Sequence, residues 1–268
     1  MNINSCGLVL CLISLFIGLI LVAVSPLIRR LTRNYIFWVL IGTVMLILVI
    51  YGRFYDGWKD FSKYHNDNGL VTSRAFLLDL CPFLAISLPL SLIVDQKRVT
   101  SRILAPFAVF GSIITLFGEV IFNDTGDINA HWNLHWIVFG GNVNPMFFSM
   151  HALTLIVGLF VLGNSEPKFF IKTMANCAIF AVSYYSWVSL ITFTMHVSCN
   201  TSGIREYDWT FGEWSGVASI FGNMSYPAVA IFGFIFSGIF ILLIAVAFDF
   251  LPKIKYFSFE KPIKKLGN

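Results

Sequence analysis

Five side chains in this sequence pair chemical reactivity with apolar surroundings: Asp79, Cys81, Glu119, His151 and His196. A thiol becomes a nucleophile when a neighbouring base raises its thiolate fraction, and imidazole is the side chain best tuned to that task. Cys81 attacking, His151 shuttling the proton, and Asp79 or Glu119 steadying the imidazole is a set suited to acyl transfer or hydrolysis. Cys81 precedes Pro82, and Pro89 follows a heptad later. Pro82 has no backbone donor and frees the carbonyl of Leu78, so the helix is expected to kink where Asp79 and Cys81 sit. Residues two apart on a straight helix point about 200° away from each other; a kink would let both reach one cavity. Hydroxyl side chains extend the set at helical spacing. Tyr185, Ser189, Thr192 and His196 form one stripe, expected to line a substrate cavity. Ser112, Thr115 and Glu119 form a second stripe, and His151, Thr154 and Gly158 a third.

These residues must be carried by apolar elements. The 268 residues are 57% hydrophobic and 12% charged, against roughly 25% charged in soluble domains. Seven apolar segments are read, at 7–27, 35–51, 75–94, 103–122, 145–162, 173–197 and 226–251. A span needs about 20 mostly apolar residues, so the expectation is an all-α, polytopic membrane helix bundle forming one transmembrane domain over 1–268. The first 28 residues hold no Lys or Arg, and Arg29, Arg30 and Arg33 follow the first apolar run. That order reads as a retained first helix with its N-terminus outside, not as a cleaved signal. Thirteen of the 18 Lys and Arg residues fall on the side of 29–33, 97–102, 168–172 and 253–265. The positive-inside rule makes that side cytoplasmic, with the C-terminus. The protein is thus expected in the cell membrane as a multi-pass chain, with long, Trp- and Asn-rich outer loops at 52–74, 123–144 and 198–225.

This topology gives depths. At the helical rise, Asp79 lies about 6 Å, Cys81 and His151 about 9 Å, Glu119 about 5 Å and His196 about 2 Å below the outer ends of their segments. All five converge in the outer half, and ionisable groups inside a membrane are functional candidates by default. The plainer reading makes the Ser and Thr stripes packing contacts and Cys81 an inert buried thiol.

Other signals are weaker. His131 and His135 in "HWNLHW" would share a side if helical, a spacing found in zinc sites, but the metalloprotease Glu is missing. No metal site is read, and no cofactor motif or nucleic-acid signal. Cys6 and Cys199 both fall near the outer surface, with their pairing open. Sequons begin at Asn123, Asn200 and Asn223.

The segment "FLLDLCPFLAISLPLSLI" (76–93), "APFAVFGSIITL" (105–116), "MFFSMHALTLIVGLF" (146–160) and, more faintly, "FGNMSYP" (221–227) resemble the YwaF-like bacterial integral membrane proteins. That family looks related to a human transmembrane acyltransferase of ether phospholipids. The resemblance implies an acyl thioester on Cys81, assisted by His151. The chain departs from the pattern at Asp79, where the family has His. A carboxylate with a pKa near about 3.9 does not activate a thiol at neutral pH; it can orient His151 or stabilise its cation.

The sequence therefore supports an acyltransferase or hydrolase acting on membrane lipid through a Cys/His pair near the outer leaflet. Two other readings stay open. One is a transporter or solute-binding protein using Asp79, Glu119 and His196. The other is a non-enzymatic scaffold associating through its outer loops or through Ala230, Gly233 and Ser237. The oligomeric state is not encoded in any of these features.

Overall fold

The computed structural model describes residues 3–55, 73, 75–121, 130–140, 145–165, 170–197, 203–210, 214, 218, 221–222, 224–251 and 254. Cys199 and the three sequon asparagines lie outside the described residues. Among the described residues all regular structure is helical, with no strand. In chain order these are α1 (Ser5–Val24), the single turn α2 (Arg29–Thr32), α3 (Tyr35–Val49), α4 (Leu80–Val94), α5 (Val99–Thr115), α6 (Leu134–Phe139), α7 (Phe147–Gly163), α8 (Phe170–Thr194), α9 (Glu206–Thr210) and α10 (Ala228–Phe250). Two helices pass into π-helical turns at their ends, Ile50–Phe54 after α3 and Leu116–Val120 after α5.

Several starts have a local cause. Asn4 accepts from the amide of Gly7 at 3.0 Å and Asn34 from that of Ile36 at 3.0 Å, so each asparagine satisfies an orphan donor of the helix it precedes. The turn before α5 is tied by Asp95. Its carboxylate accepts from the amides of Lys97 at 3.0 Å and Thr100 at 2.8 Å. Partial burial pushes this carboxyl up, but the bonds from Thr100, Lys97 and Val99 outweigh it and hold the group below its ordinary range. The seven apolar segments of the sequence each contain one long helix. Five helices are long and apolar enough to cross a membrane: Ser5–Val24, Tyr35–Phe54, Val99–Val120, Ile171–Thr194 and Ala228–Phe250. Leu80–Val94 and Phe147–Gly163 are apolar but shorter.

The register of contacts shows how they pack. Gly18 lies against Leu159 and Gly163 against Val22, so α1 and α7 run parallel. Gly42 meets Pro89 and Leu92, and Tyr35 donates its hydroxyl to the carbonyl of Ile93, so α3 and α4 are antiparallel. Cys11 donates to the carbonyl of Leu116 at 3.3 Å while Gly7 abuts Val120, which sets α1 antiparallel to α5. Small residues at these crossings bring backbones close, as in packing within lipid. The alternation puts Arg29, Arg30, Arg33, Lys97, Arg98 and Lys172 at one end of the bundle, where Arg98 lies 4.9 Å from the Trp38 ring centroid. The opposite end carries the N-terminus and both π-turns. Phe16, Leu40, Ile47, Val182 and Phe193 are more than half exposed around the sides, a density of bare apolar surface that suits lipid rather than water.

α5 and α7 form the buried centre, with α1, α3 and α4 packed around them. α8 and α10 lean on α5 along one edge and touch each other over a limited length, which leaves a cleft between them.

Candidate functional site

The sequence places Asp79 and Cys81 inside a kinked helix; the structure starts the helix there instead. α4 begins at Leu80, with Asp79 as its N-cap residue and Pro82 in its first turn. Proline fits that position because the amide it lacks would be unpaired anyway, so Pro82 marks a start rather than a kink. The preceding turn is tight, with Leu77 at φ 55°. Its backbone is held from within the protein: the amide of Leu78 donates to Ser73 at 2.9 Å, the carbonyl of Leu78 accepts from the Tyr184 hydroxyl at 2.7 Å, and that of Phe76 from the Trp187 indole at 3.0 Å. The Leu78 carbonyl, which lies ahead of the helix and has no helical donor, thus has a partner supplied by α8.

Asp79 accepts a bond from Ser73 at 3.3 Å, and its charge is felt at Tyr184 and at Asp208. Cys81 is half-buried, with its sulfur 3.5 Å from the Thr115 hydroxyl. A Cβ on Gly111 would lie 3.2 Å from that sulfur, so the glycine makes room for the thiol against α5. Glu119 sits in the second π-turn, half-buried. Wider than an α-turn, that turn changes the angle between Glu119 and the Ser112 and Thr115 positions of the expected stripe. The Ser112 hydroxyl is buried without a partner among the described residues.

His151 is 3% exposed, and its Nδ1 lies 2.6 Å from the carbonyl of Phe147. A carbonyl only accepts, so Nδ1 carries the proton and Nε2 keeps its lone pair. Among the described residues no hydrogen bond joins His151 to Cys81. The two are nonetheless level along α5. Gly158 packs on Ala105, Ala108 and Val109. Two turns earlier on this antiparallel helix, His151 stands beside the stretch of α5 that also faces Cys81.

The cavity residues expected on α8 divide. Tyr185 and Ser189 line the cleft between α8 and α10. Thr192 is 3% exposed, on the buried side of α8. α8 ends at Thr194, so His196 has left the stripe; it is exposed, at φ 52°. His131 precedes the N-cap Asn133, and only His135 belongs to α6, so the helical spacing proposed for that pair is not formed. Among the described residues no cluster of three metal-ligating side chains is found.

The cleft has a volume of about 670 Å³. Its floor is Phe107 and Phe110 of α5, its walls are Phe180 and Ala181 on one side and Phe234 and Leu242 on the other, and Ile204, Trp214 and Tyr226 line its mouth at the end opposite the basic residues. Leu80 and Tyr184 also line it, which puts the start of α4 at its rim. The sequence reading passed over several residues here. Tyr184 sits next to the counted stripe, and Asp208 and Arg205 belong to the connection between α8 and α10, whose sequence has no periodicity to read. Asp208 is 1% exposed and lies 3.7 Å from Arg205. Burial pushes its carboxyl up, Arg205 partly offsets this, and the charge of Asp79 adds to the rise. The basic end also holds a carboxylate, Asp249, which accepts from Thr173 at 2.5 Å. It lines a cavity of about 30 Å³ with Arg102 and Cys177, and Cys177 lines the large cleft too.

The profile of a family described as a family of unknown function (DUF5378) matches residues 11–267. The chain is 34% identical over 234 residues to an uncharacterised protein of Mycoplasma genitalium, MG135, covering 84% of this chain and 82% of that one. It is 29% identical over 263 residues to the MG135 homolog of Mycoplasma pneumoniae, also uncharacterised, covering 93% and 90%. No solved structure matches.

Proposed function

We propose, for a chain that belongs to a family of unknown function (DUF5378), that it is a seven-span protein of the cell membrane, N-terminus outside and C-terminus in the cytoplasm, that works on an acyl group of membrane lipid at Cys81. One observation carries this reading: a long apolar cleft opens between α8 and α10, and Leu80, the neighbour of Cys81 at the start of α4, is part of its lining. A void of that size between spanning helices is not left empty in a bilayer, and its apolar lining does not hold water. Lipid chains are the material at hand. The length of α4 sets the depth. Its 15 residues reach about 22 Å, while the hydrocarbon core is about 30 Å thick. Measured from Val94 at the inner boundary, the start of α4 lies about 8 Å below the outer one, among the acyl chains, so a lipid ester has to sink from the boundary to reach Cys81. Non-helical backbone at that depth is tolerated only where protein satisfies it, as Tyr184 and Trp187 do here.

The chemistry is that of a thioester. The Cys81 thiolate attacks the ester carbonyl carbon, a C–S bond forms, and the C–O bond to the lipid backbone breaks. The thiol proton passes through the free Nε2 of His151 to the departing alkoxide, with Asp79 and Glu119 favouring the imidazolium. A second alcohol, or water, then releases the acyl group and returns the proton to sulfur. Membranes bearing the full chain, incubated with an alkyne fatty-acyl lipid, are expected to label in a hydroxylamine-sensitive manner. Cys81→Ser abolishes the label, and His151→Ala slows it by about 10²-fold or more. Equal labelling of Cys81→Ser and the unaltered chain would refute the nucleophile.

A transport reading has one specific observation in its favour. Through Cys177 the cleft adjoins the small cavity of Arg102 and Asp249, so polar groups stand at both ends of one helix face. Solute uptake that is lost in Asp79→Asn and Glu119→Gln but kept in Cys81→Ser supports transport over acyl transfer.

A further inference from the structure

The walls of the cleft carry hydroxyls that the protein itself does not use. Tyr185 and Ser189 of α8 and Ser237 of α10 line it, and Ser237 is only 8% exposed. Among the described residues none of these three hydroxyls has a hydrogen-bond partner. Elsewhere in the bundle hydroxyls fold back on the carbonyl four residues earlier: Ser14 on Leu10 at 2.9 Å, Thr154 on Met150 at 2.7 Å and Thr194 on Leu190 at 2.6 Å. The two remaining hydroxyls of the lining are taken, Tyr184 by the Leu78 carbonyl and Tyr226 by that of Ile204 at 2.9 Å. Hydrocarbon offers no substitute, so the three on the walls are satisfied only by what enters the cleft.

They lie close in level. Thr173 donates to Asp249, and Tyr185 meets Phe234 edge-on with centroids 5.0 Å apart, so α8 and α10 run antiparallel with Tyr185 level with Phe234. Ser237 follows Phe234 by three positions, on the same face. Side chains slant toward the N-terminus of their own helix, which carries the Tyr185 hydroxyl toward the basic end and the level of Ser237. Ser189 stands one turn, about 6 Å, nearer the mouth. Three hydroxyls spread over a turn match a head with several hydrogen-bonding groups, not a lone alcohol.

Charge and depth restrict that head further. Among the described residues that line the cleft none is charged, so an ionised group there has no counter-charge. The 25 residues of α8 reach about 37 Å, which overhangs a core of about 30 Å by about 4 Å at each end. Tyr185, nine residues from Thr194, then lies about 10 Å inside the nearer boundary. Burying a charge at that depth is expensive, while an uncharged head with its hydrogen bonds made is tolerated. From Tyr185 to Met174 the lining continues for about 16 Å toward the basic end, the depth of one leaflet, about 15 Å. Below the hydroxyls there is room for one extended chain.

We propose that Tyr185, Ser189 and Ser237 form a binding site for the uncharged head of a neutral glyceride, whose acyl chain lies in the cleft toward Met174. This rests on the reading that the cleft holds a lipid chain, and the test separates the two. The full-length protein in lipid nanodiscs is labelled with a photoreactive, alkyne-tagged monoacylglycerol. The label is competed with monopalmitoylglycerol, with its phosphate ester, which adds only a charged group, with hexadecanol, and with hexadecane, which keeps only the chain. Monopalmitoylglycerol is expected to compete at about tenfold lower concentration than any of the other three, the size of one or two hydrogen bonds. The double variant Tyr185→Phe, Ser237→Ala is expected to bring it to the level of hexadecane. Because those hydroxyls have no partner among the described residues, the double variant should melt no lower than the unaltered protein. Gly238 lines the cleft and has nothing within 4 Å of its ideal Cβ, so Gly238→Leu fills the cleft without disturbing the helix and is expected to lose the label; Ala181→Leu serves the same end from α8. Equal competition by the glyceride and its phosphate, or a preference that survives in the double variant, overturns the neutral-head site and leaves the lipid reading standing. Hexadecanol competing as well as the glyceride overturns the assignment to a glyceride. No labelling, or labelling that neither Gly238→Leu nor Ala181→Leu reduces, overturns the lipid reading as well.

Discussion

At the scale of single residues, the turn before α4 joins sequence to structure most directly. Pro82 announces an unpaired carbonyl on Leu78 in the sequence alone, because the missing amide is a property of proline. Its partner, Tyr184, is 106 positions away, and no local pattern encodes so distant a bond. Tyr184→Phe leaves that carbonyl buried and unpaired and is expected to destabilise the protein by about 1–3 kcal/mol. It should also loosen the turn that presents Cys81; thermal melts and maleimide reactivity of Cys81 check the two effects. Asp95 gives a prediction in pH. Its carboxyl is held below its ordinary range in the folded chain, so its contribution is present above the unfolded value, about 3.9, and fades as pH falls through the folded one. Asp95→Ala is expected to cost about 0.5–1 kcal/mol at neutral pH, the low end of the capping range because the site is only partly buried, and the difference from the unaltered protein should shrink as pH falls below the ordinary carboxylate range. The His131 and His135 spacing shows the limit of residue-level reading: Asn133 caps a helix between them, and that cap outweighs the apparent period.

At the scale of elements, the apolar runs told where helices would be, because burial in lipid selects for length and composition directly. Ends were harder. α8 stops at Thr194, which removes His196 from its stripe, and a π-turn rather than an α-turn carries Glu119 after α5. Both depend on hydrogen-bond patterns that hydropathy does not report. The crossings were legible only as small residues. Gly7 is the sharpest case, since a Cβ there would meet the Val120 carbonyl oxygen at 2.4 Å. That atom is backbone and belongs to the π-turn, so it cannot swing aside. Gly7→Ala is expected to push α1 from α5 and cost about 1–3 kcal/mol, measured by thermal unfolding in detergent. The same substitution at Gly118, which has no heavy atom within 4 Å of its ideal Cβ, should be close to neutral by the same measurement.

At the scale of the whole molecule, charge and hydropathy made the all-helical bundle legible, while the cleft was legible only in part. Tyr185 and Ser189 mark the face of α8 that lines it, but a cavity is a failure of two surfaces to meet, and hydropathy does not report its size or its partner helix. The orientation read from the basic residues is testable apart from any chemistry. Single cysteines at Asn34 and Gln96 are expected to resist a membrane-impermeant maleimide in intact cells, and one at Trp132 to react. The reverse pattern would turn the bundle over and place Cys81 toward the cytoplasm.

α4 begins late, at Leu80, and the turn ahead of it completes the crossing, tied to α8 through Tyr184 and Trp187. On the acyl reading, Cys81 would therefore be flanked by irregular backbone and not by a further helical turn. Whether an acyl group is handed to another alcohol or lost to hydrolysis would then be decided by which of the two can reach that turn, without altering a single reacting atom.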